Sequence, residues 1–590
     1  MLLSYRVPLL LVAFMMATLT ACTNAQQFQP RTTTTPTTET KAQPAKLSKL
    51  GTVDFPTSAR SQQAQAHFRR GVAALHSFWY PVALEEFRAA TKIEPDFMMG
   101  YWGEAMAHNH PIWGDPQETE AARKVLEKIK VTPKLTPREQ AYLNAVKVLY
   151  GKGDKATRDR AYSAAMEKIY REYPDDEDAA LFYALSLMGT VQPGDPGGLQ
   201  TRLRAGEIAS DVYKKNPNHP GAAHYVIHAY DDPENAAKAL DAARRYAEIA
   251  PDVPHALHMP SHIFLQLGMW SEAAASNEAS WAASDIQEKP KDRPVNASDL
   301  EGYHSLHWLN YIYLQQGRYS NANQLLTQMR KELAASSPNN PLQLYYGAYT
   351  YANMAAAFVV ETERWDSANE LFEPLQTLTK ANSSAGATGQ TKPPQPENGA
   401  IQADLMSLQT LPIFVRGLAA AKQGSAADDK SIAELQTIAK QYSGTQEPAL
   451  AQALKRLEIQ RLEIAAAKSA SKDDFNQAIA TMKQATALEA SLSPPLGPPE
   501  LIKPSHELFG EILLQAKRPK QAAEQFATSL RRHENRARSL LGTARAAAQN
   551  GNTQVAANTY AQLVRQWQQA DAQLPELREA QNYSNRSGAR

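Results

Sequence analysis

Apolar side chains recur every three to four residues along almost the whole chain from about residue 60 onward. This is the period of amphipathic α-helices, and Gly or Pro interrupts it where helices would end. Alanine is frequent among the apolar positions, and such small side chains allow two helices to cross closely. At 590 residues the chain is too long for one compact core. The pattern therefore predicts an all-α, open-ended array of helical pairs.

The first pair shows the frame of this array. The frame consists of Gly71, Ala83, Phe87, Ala90 and Pro95 at fixed intervals along the chain. Parts of this frame recur in seven or more units as far as the C-terminus. The frame resembles the tetratricopeptide repeat. The resemblance implies that small residues bring the two helices together, that Phe87 fills the gap between them, and that Pro95 ends the second helix. The expected fold is a tetratricopeptide-type α-α superhelix.

Longer stretches carry a more specific resemblance. The segments ALHSFWYPVALEEFRAA, GYWGEAMAHNHPIW, AAHYVIHAYDDP and KPSHELFGEILLQAKRPKQAAEQF are similar to a family of exported bacterial tetratricopeptide proteins. This similarity extends over nearly all of the chain that follows the N-terminal segment. It implies the fold and export from the cytoplasm, and it implies no reaction.

The first 21 residues have the pattern of a signal peptide, with Arg6 followed by a short apolar run. Leu19-Thr20-Ala21-Cys22 resembles the lipobox of bacterial lipoproteins, which implies that Cys22 carries lipid, palmitate included, and is the first mature residue. Thr23 stands where an aspartate would resemble an inner-membrane retention signal. The expected location is the periplasmic side of the outer membrane.

Composition shifts predict how the rest of the chain is organised. Residues 22–50 are polar and rich in Thr, and they are expected to form a disordered tether. The Gly-, Pro- and Ser-rich segment 381–400 is expected to link an N-terminal superhelix, 51–380, to a C-terminal superhelix, 401–590. A polar insertion at 285–299 interrupts the first superhelix.

Charge and motif content exclude several classes of function. The chain has 62 Lys+Arg and 61 Asp+Glu without a basic block, which argues against a nucleic-acid partner. Its single cysteine, Cys22, lies in the targeting segment, so neither a disulfide nor a zinc-thiolate site can form in the repeats. Phosphate-binding glycine loops, nucleophile elbows and dinucleotide fingerprints are also missing from the sequence. Nothing in the sequence therefore identifies catalytic residues or favours an enzyme.

The most specific feature is a concentration of histidines between residues 219 and 307. His224 and His228 are four residues apart, His258 and His262 repeat that spacing 34 residues later, and 34 residues is the length of one repeat. A third pair follows at His304 and His307. The resemblance implies that the first helix of each repeat faces a concave groove. Six imidazoles on three neighbouring helices, with Asp231 beside them, are therefore expected to share one surface.

Two interpretations of these histidines remain open. Neutral imidazoles at such spacing can hold zinc, copper or nickel, with Asp231 as a further ligand. Alternatively, the rings are a structural ladder or contact a peptide, and Pro260 would then splay His258 from His262. The leading hypothesis is a lipid-anchored scaffold that binds an envelope protein or peptide in its groove. The groove residues of this hypothesis are Tyr225, Asp231, Glu507 and Glu511. The alternative is a transition-metal protein, in which a hydrolytic role is possible, built on the six histidines.

Overall fold

The computed structural model describes residues 49–112, 117–130, 134–284, 301–336, 341–375 and 399–588. The predicted signal peptide, Cys22 and almost all of the tether lie outside these residues. The insertion 285–299 and nearly all of the linker 381–400 also lie outside them. Those assignments therefore stay predictions, as do the two domain boundaries that depend on them.

The described chain before the linker is a succession of helices, most of them packed against the next. These helices are α1 (Gln62–His76), α2 (Tyr80–Ile93), α3 (Met98–Met106), α4 (Thr119–Leu126), α5 (Pro137–Leu149), α6 (Lys155–Glu172), α7 (Glu177–Gly189), α8 (Gly198–Lys215), α9 (Pro220–Ala229), α10 (Leu240–Ile249), α11 (Pro254–His258), α12 (Pro260–Gln266), α13 (Trp270–Ala283), α14 (Glu301–Gln315), α15 (Tyr319–Ala335) and α16 (Pro341–Thr362). Two short 3₁₀ turns occur at Ala236–Ala239 and Trp365–Ser367, and the second leads into a helical segment at 368–375.

The chain after the linker continues in the same way. Its helices are α17 (Gly399–Lys422), α18 (Ala427–Gln441), α19 (Pro448–Ser471), α20 (Phe475–Ala490), α21 (Ser505–Gln515), α22 (Pro519–Arg532), α23 (Ala537–Gln549), α24 (Thr553–Gln566) and α25 (Pro575–Gly588). The described residues contain no β-strand, which confirms the predicted all-α class. Among the helices that the structure describes, none is long and apolar enough to cross a membrane.

Close approach between glycine and phenylalanine sets the packing of successive repeats. A Cβ atom added to Gly71 on α1 would lie 2.7 Å from the ring of Phe87 on α2, and one added to Gly103 on α3 would lie 2.2 Å from it. The buried Phe87 ring therefore occupies space that two glycines leave free. The same arrangement recurs around Phe526 on α22, between Gly510 and Gly542. This is the packing that the sequence frame implied, and it confirms the tetratricopeptide-type superhelix.

The second half of the chain folds back onto the first. The Trp567 indole donates a hydrogen bond to the Gln315 carbonyl at 2.9 Å, and the Trp270 indole donates one to the Asn535 carbonyl at 3.0 Å. The Asp571 amide donates to the Gly317 carbonyl at 3.0 Å. Apolar residues of both halves also belong to one continuous core. The two halves therefore touch each other along α13–α15, a contact that the sequence did not predict.

A buried ion network lies at this junction. The Arg536 guanidinium is fully buried and donates to Glu507 at 2.8 Å and to the Tyr311 hydroxyl at 3.0 Å, and it also pairs with Glu361 on α16. The Lys503 ammonium pairs with Glu507 at 2.9 Å. Removing one member of such a network leaves a buried charge without its partner, which is strongly destabilising. The network therefore ties α21 and α23 to α14 and α16.

This network changes the predicted role of two groove residues. Glu507 is 0% exposed, and its carboxylate is occupied by Lys503, Arg536 and Ser539. The Glu511 side chain is 17% exposed and pairs with Lys503 and Lys422. Both carboxylates are used inside the chain, because residues of the second half itself pair with them. The assignment of these two residues to an open peptide groove is therefore corrected.

The glycine and phenylalanine packing predicts a large position dependence for Gly→Ala substitutions. Gly103→Ala should destabilise the fold by about 1–3 kcal/mol, because its methyl group overlaps the Phe87 ring. Gly347→Ala on α16 is the matched control, since the nearest atoms to its added Cβ are 3.6 Å away. This control should gain about 0.5–1 kcal/mol from reduced chain entropy. Chemical denaturation measures both, and equal effects of the two substitutions would contradict the packing described.

The ion network predicts a dependence of stability on pH. Burial raises the pKa of Glu511, but attraction from Lys503 and Lys422 outweighs burial and lowers that pKa from 4.5 to about 2. Because the folded-state pKa is the lower one, this stabilisation is complete above pH 4.5 and is lost as the pH falls toward 2. Glu511→Gln should therefore cost roughly 2 kcal/mol at pH 7 and flatten the acid limb of stability. Exposed Glu85→Gln serves as the control, and urea titrations from pH 2 to 7 compare them.

Candidate metal centre

Four helices from three consecutive repeats bring the histidines together. His219 accepts a hydrogen bond from the Gly221 amide at 3.1 Å and so caps α9, which carries His224 and His228. The next repeat begins with α11 and α12, which are separated at Met259 because Pro260 starts a new helix. His258 lies on α11, His262 on α12, and His304 follows on α14.

The break at Pro260 brings its two histidines together instead of splaying them. The Nε2 atoms of His258 and His262 lie 3.1 Å apart, and both rings are almost fully buried. One donor atom from each of His258, His262 and His304 lies within 4.8 Å of those of the other two. We call these three residues the second trio. Its convergence on one point is the arrangement that a bound metal ion requires.

The hydrogen bonds behind the second trio fix which ring nitrogens carry protons. His258 Nδ1 lies 2.7 Å from Asn277 Oδ1, and the amide orientation is set because Asn277 Nδ2 donates to the Ala273 carbonyl at 2.9 Å. His262 Nδ1 lies 2.7 Å from Asp231 Oδ2. Both Nδ1 atoms are therefore donors, and two neutral rings would present Nε2 lone pairs to each other at 3.1 Å. Such a pair is stable only with a cation between the rings, either a shared proton or a metal ion.

A first trio lies beside this one and consists of His224, His228 and His255, whose donor atoms are again within 4.8 Å of one another. His224 Nδ1 donates to the His76 carbonyl at 2.7 Å, which leaves its Nε2 lone pair facing His255 Nε2 at 3.0 Å. The Nε2 atom of His228 is buried and has no hydrogen-bond partner. The first trio is therefore a second set of three converging nitrogens, one repeat earlier.

Burial keeps four of these rings neutral. It lowers the pKa of His224, His228, His258 and His304 well below 6.5, and neighbouring imidazoles lower it further. A ring that is neutral at pH 7 keeps one lone pair available, which is the form that binds transition metals. The hydrogen bonds at Nδ1 are of the type that orients metal-ligating histidines. Both features favour metal coordination over a purely aromatic stack.

Aromatic rings and a segment of the second half cover the cluster. Trp308 lies with its ring centre 4.3 Å from that of His262, and a Cβ on Gly497 would lie 2.5 Å from the Trp308 ring. The Gln266 amide donates to Asp231 Oδ1 at 3.0 Å and to the Pro495 carbonyl at 2.7 Å. The proline-rich segment that contains Pro495 and Gly497 is therefore joined to the residue that orients His262.

Phe78 covers the first trio from the other side. Its ring centre lies 4.5 Å from that of His224 and 5.5 Å from that of His255. Its φ of 54° is unusual for a bulky side chain, and Gly268 and Gly317 occupy the corresponding turn in later repeats. Glu363, Asp473 and Lys517 have φ values of 53°, 59° and 58° at the corresponding turns, so this conformation belongs to the repeat. The sequence reasoning missed Phe78, because its contact with the histidines joins parts of the chain that are far apart in sequence.

The structure brings together five of the six predicted histidines and leaves out His307. That half-buried residue lies beside Tyr311, Glu361 and Pro498, and desolvation lowers its pKa to about 4. Asp231 is 2% exposed and receives hydrogen bonds from His262 and Gln266, so it orients a histidine instead of lining an open groove. Tyr225 is fully buried, and its hydroxyl bonds His76 Nδ1 at 2.9 Å. The groove assignment of Asp231 and Tyr225 is therefore corrected.

His255 takes the place that the sequence analysis gave to His307. It lies three residues before His258, the same spacing as between His304 and His307, and this signal could have identified it. A further buried group, His76 with Asp178 and His219, was also missed. His76 bonds Tyr225 through Nδ1 and Asp178 through Nε2, each at 2.9 Å. Both of its nitrogens are therefore occupied, and this group stabilises the packing of α1, α7 and α9.

Comparisons with known proteins add little to this geometry. No family model matches the sequence, and no curated protein matches it. Solved structures similar to the chain include a human IFIT1 dimer with PPP-AAAA, at 11% identity, 83% coverage of this chain, 94% of that chain and a TM-score of 0.36. Yeast Tom70 is 11% identical, with 89% coverage of this chain, 96% coverage of that chain and a TM-score of 0.28. The P58(IPK) TPR domain is 14% identical, with 70% coverage of this chain, 100% coverage of that chain and a TM-score of 0.21.

These TM-scores are too low to support an argument about function. The class of the protein follows instead from its own helix pairs and from the packing of Phe87 and Phe526 against their glycines. The chain is a tetratricopeptide-type α-α superhelix that contains a buried cluster of histidines.

Proposed function

We propose that the protein binds transition-metal ions through the six-histidine cluster formed by the two trios. The observation that carries this proposal is the pair of Nε2 atoms of His258 and His262, 3.1 Å apart, with both Nδ1 atoms donating to oxygen acceptors. A shared proton would satisfy this pair alone. A metal ion also accounts for the convergence of His304 and for the equivalent arrangement of His224, His228 and His255.

The ligand chemistry supports a first-row transition metal. Every donor in the two trios is an imidazole nitrogen, and imidazole suits zinc, copper and nickel. Calcium and magnesium prefer oxygen ligands, which the two trios do not provide. The carboxylate of Asp231 supports His262 from behind, as carboxylates commonly do for metal-ligating histidines. The proposed role is metal binding or delivery, and no group in the cluster is assigned a catalytic step.

The location of the protein is a separate proposal. Lipid on Cys22 would hold the chain at the periplasmic side of the outer membrane, and residues 22–50 would tether the superhelix to it. This is supported by the apolar segment before Leu19-Thr20-Ala21-Cys22 and by the polar composition of the tether. A metal site in that compartment would take up ions after export.

Partner binding remains a second candidate function. Superhelices built from repeats offer extended concave surfaces that bind proteins and peptides, and this fold supports the same use here. An envelope protein or peptide is the proposed partner. Because Tyr225, Asp231 and Glu507 are buried, a partner would contact other residues of the superhelix. Envelope pull-down with the mature protein tests this function independently of metal.

Metal analysis of untagged mature protein tests the first proposal. Native protein incubated with zinc, copper or nickel and then desalted should retain stoichiometric metal by mass spectrometry. His258→Gln should abolish metal binding in the second trio, because it removes one of the three ligand nitrogens. The His258 ring is fully buried in this site. Asp231→Asn should weaken affinity there by about 10- to 100-fold, since it removes the charged acceptor behind His262.

The matched control is His307→Gln, which changes a half-buried histidine outside both trios. It should retain the full metal content of the native protein, and circular dichroism should show that all variants are folded. Native protein that is free of metal after incubation with each ion would contradict the proposal. Loss of metal in His307→Gln alone would contradict the assignment of ligands.

Cys22→Ser tests the location. The variant should move from the membrane fraction to the soluble periplasmic fraction, because the tether would have no lipid. Fractionation followed by immunoblotting measures this shift, and Thr23→Ser is the control. A variant that stays with the membrane to the same extent as native protein would contradict lipid anchoring.

A further inference from the structure

We infer that the two histidine trios form a dinuclear centre that binds a pair of cuprous ions, one ion in each trio. This inference rests on the proposed metal-binding function and adds the number of ions, the element and its oxidation state. The donor atoms of the cluster converge at two separate points inside the chain.

The number of ions follows from how the donors are grouped. Donor atoms within 4.8 Å of one another occur as two sets of three, and the sets share no residue. In each set two Nε2 atoms already face each other, at 3.0 Å between His224 and His255 and at 3.1 Å between His258 and His262. Each trio is therefore a three-nitrogen site of its own.

The two sites are immediate neighbours. Ring centres of His228 and His262, one from each trio, are 5.9 Å apart, and those of His255 and His258 are 6.3 Å apart. These separations are no larger than the 6.5 Å between His262 and His304 within the second trio. Two bound ions would therefore lie side by side in one buried space and would repel each other.

Charge favours monovalent ions in such a pair. An imidazole that binds a metal ion is neutral, so the six donors would bring no negative charge to two bound ions. Among the described residues, Asp231 is the carboxylate that hydrogen-bonds one of the six rings. The Arg202 guanidinium lies nearby and donates to the carbonyls of His228 and Asp231 at 3.0 and 2.8 Å. Two divalent ions would repel each other four times as strongly as two monovalent ions at the same separation. Among the transition metals that imidazole binds, copper is the one with a common monovalent state.

The residues that surround the cluster also favour monovalent ions. Phe78 lies against the first trio and Trp308 against the second, so each site has an aromatic ring beside it. Buried surroundings penalise net charge steeply. A cuprous ion with three imidazoles carries half the charge of a cupric or zinc ion in the same place, so it costs less to bury.

Anaerobic titration of untagged mature protein with cuprous ion, against a competing chelator, tests the inference. Native protein should bind two equivalents. His255→Gln should bind one because the first trio is broken, and His304→Gln should bind one because the second is broken. The double variant should bind none, and His307→Gln should still bind two. X-ray absorption of the loaded native protein should show nitrogen ligands and a neighbouring copper.

The outcomes separate this inference from the proposed function. A single equivalent of copper in native protein would overturn the pair while leaving metal binding intact. Two equivalents of zinc retained without affinity for cuprous ion would overturn the choice of metal. If no ion of any kind is retained, both proposals fail. Circular dichroism and thermal unfolding of each Gln variant distinguish loss of a ligand from loss of the fold.

Discussion

Close approach of the first helices of neighbouring repeats is the constraint on which the structure depends. It is visible where Phe87 and Phe526 each fill space left by two glycines. Because the repeats stack at a fixed spacing, residues at equivalent positions of α9, α11, α12 and α14 become spatial neighbours. Side chains separated by about one repeat in sequence can then share a site. The histidine cluster is a consequence of that stacking, as His224 and His255 show at 3.0 Å.

Closure of the superhelix is the second level of organisation. The buried Arg536 binds carboxylates from both halves, Glu361 and Glu507, and holds the second half against α14 and α16. The same closure places Gly497 against Trp308 and joins Pro495 to Gln266. A network that stabilises the fold therefore also covers the histidines. This link connects the stability of the junction to the environment of the candidate metal centre.

Burying six imidazoles without a ligand would be unfavourable, since facing lone pairs repel and buried polar atoms lose their hydration. The chain nevertheless holds these rings in place with Asn277, Asp231 and the His76 carbonyl. A shared proton would relieve only the contact between His258 and His262. A bound cation removes the repulsion, which is why the geometry favours a metal centre over the groove that the sequence first suggested.

The sequence by itself determined the all-α class, the repeat frame and the presence of histidines at one-repeat spacing, because helical period and repeat length are local properties of the chain. It also identified five of the six clustered rings. Only the tertiary structure decided that His255 joins them and His307 does not, since both fit the helical spacing and differ in their neighbours. It likewise decided that Tyr225 and Glu507 are buried, because their partners His76 and Arg536 come from other helices of the array.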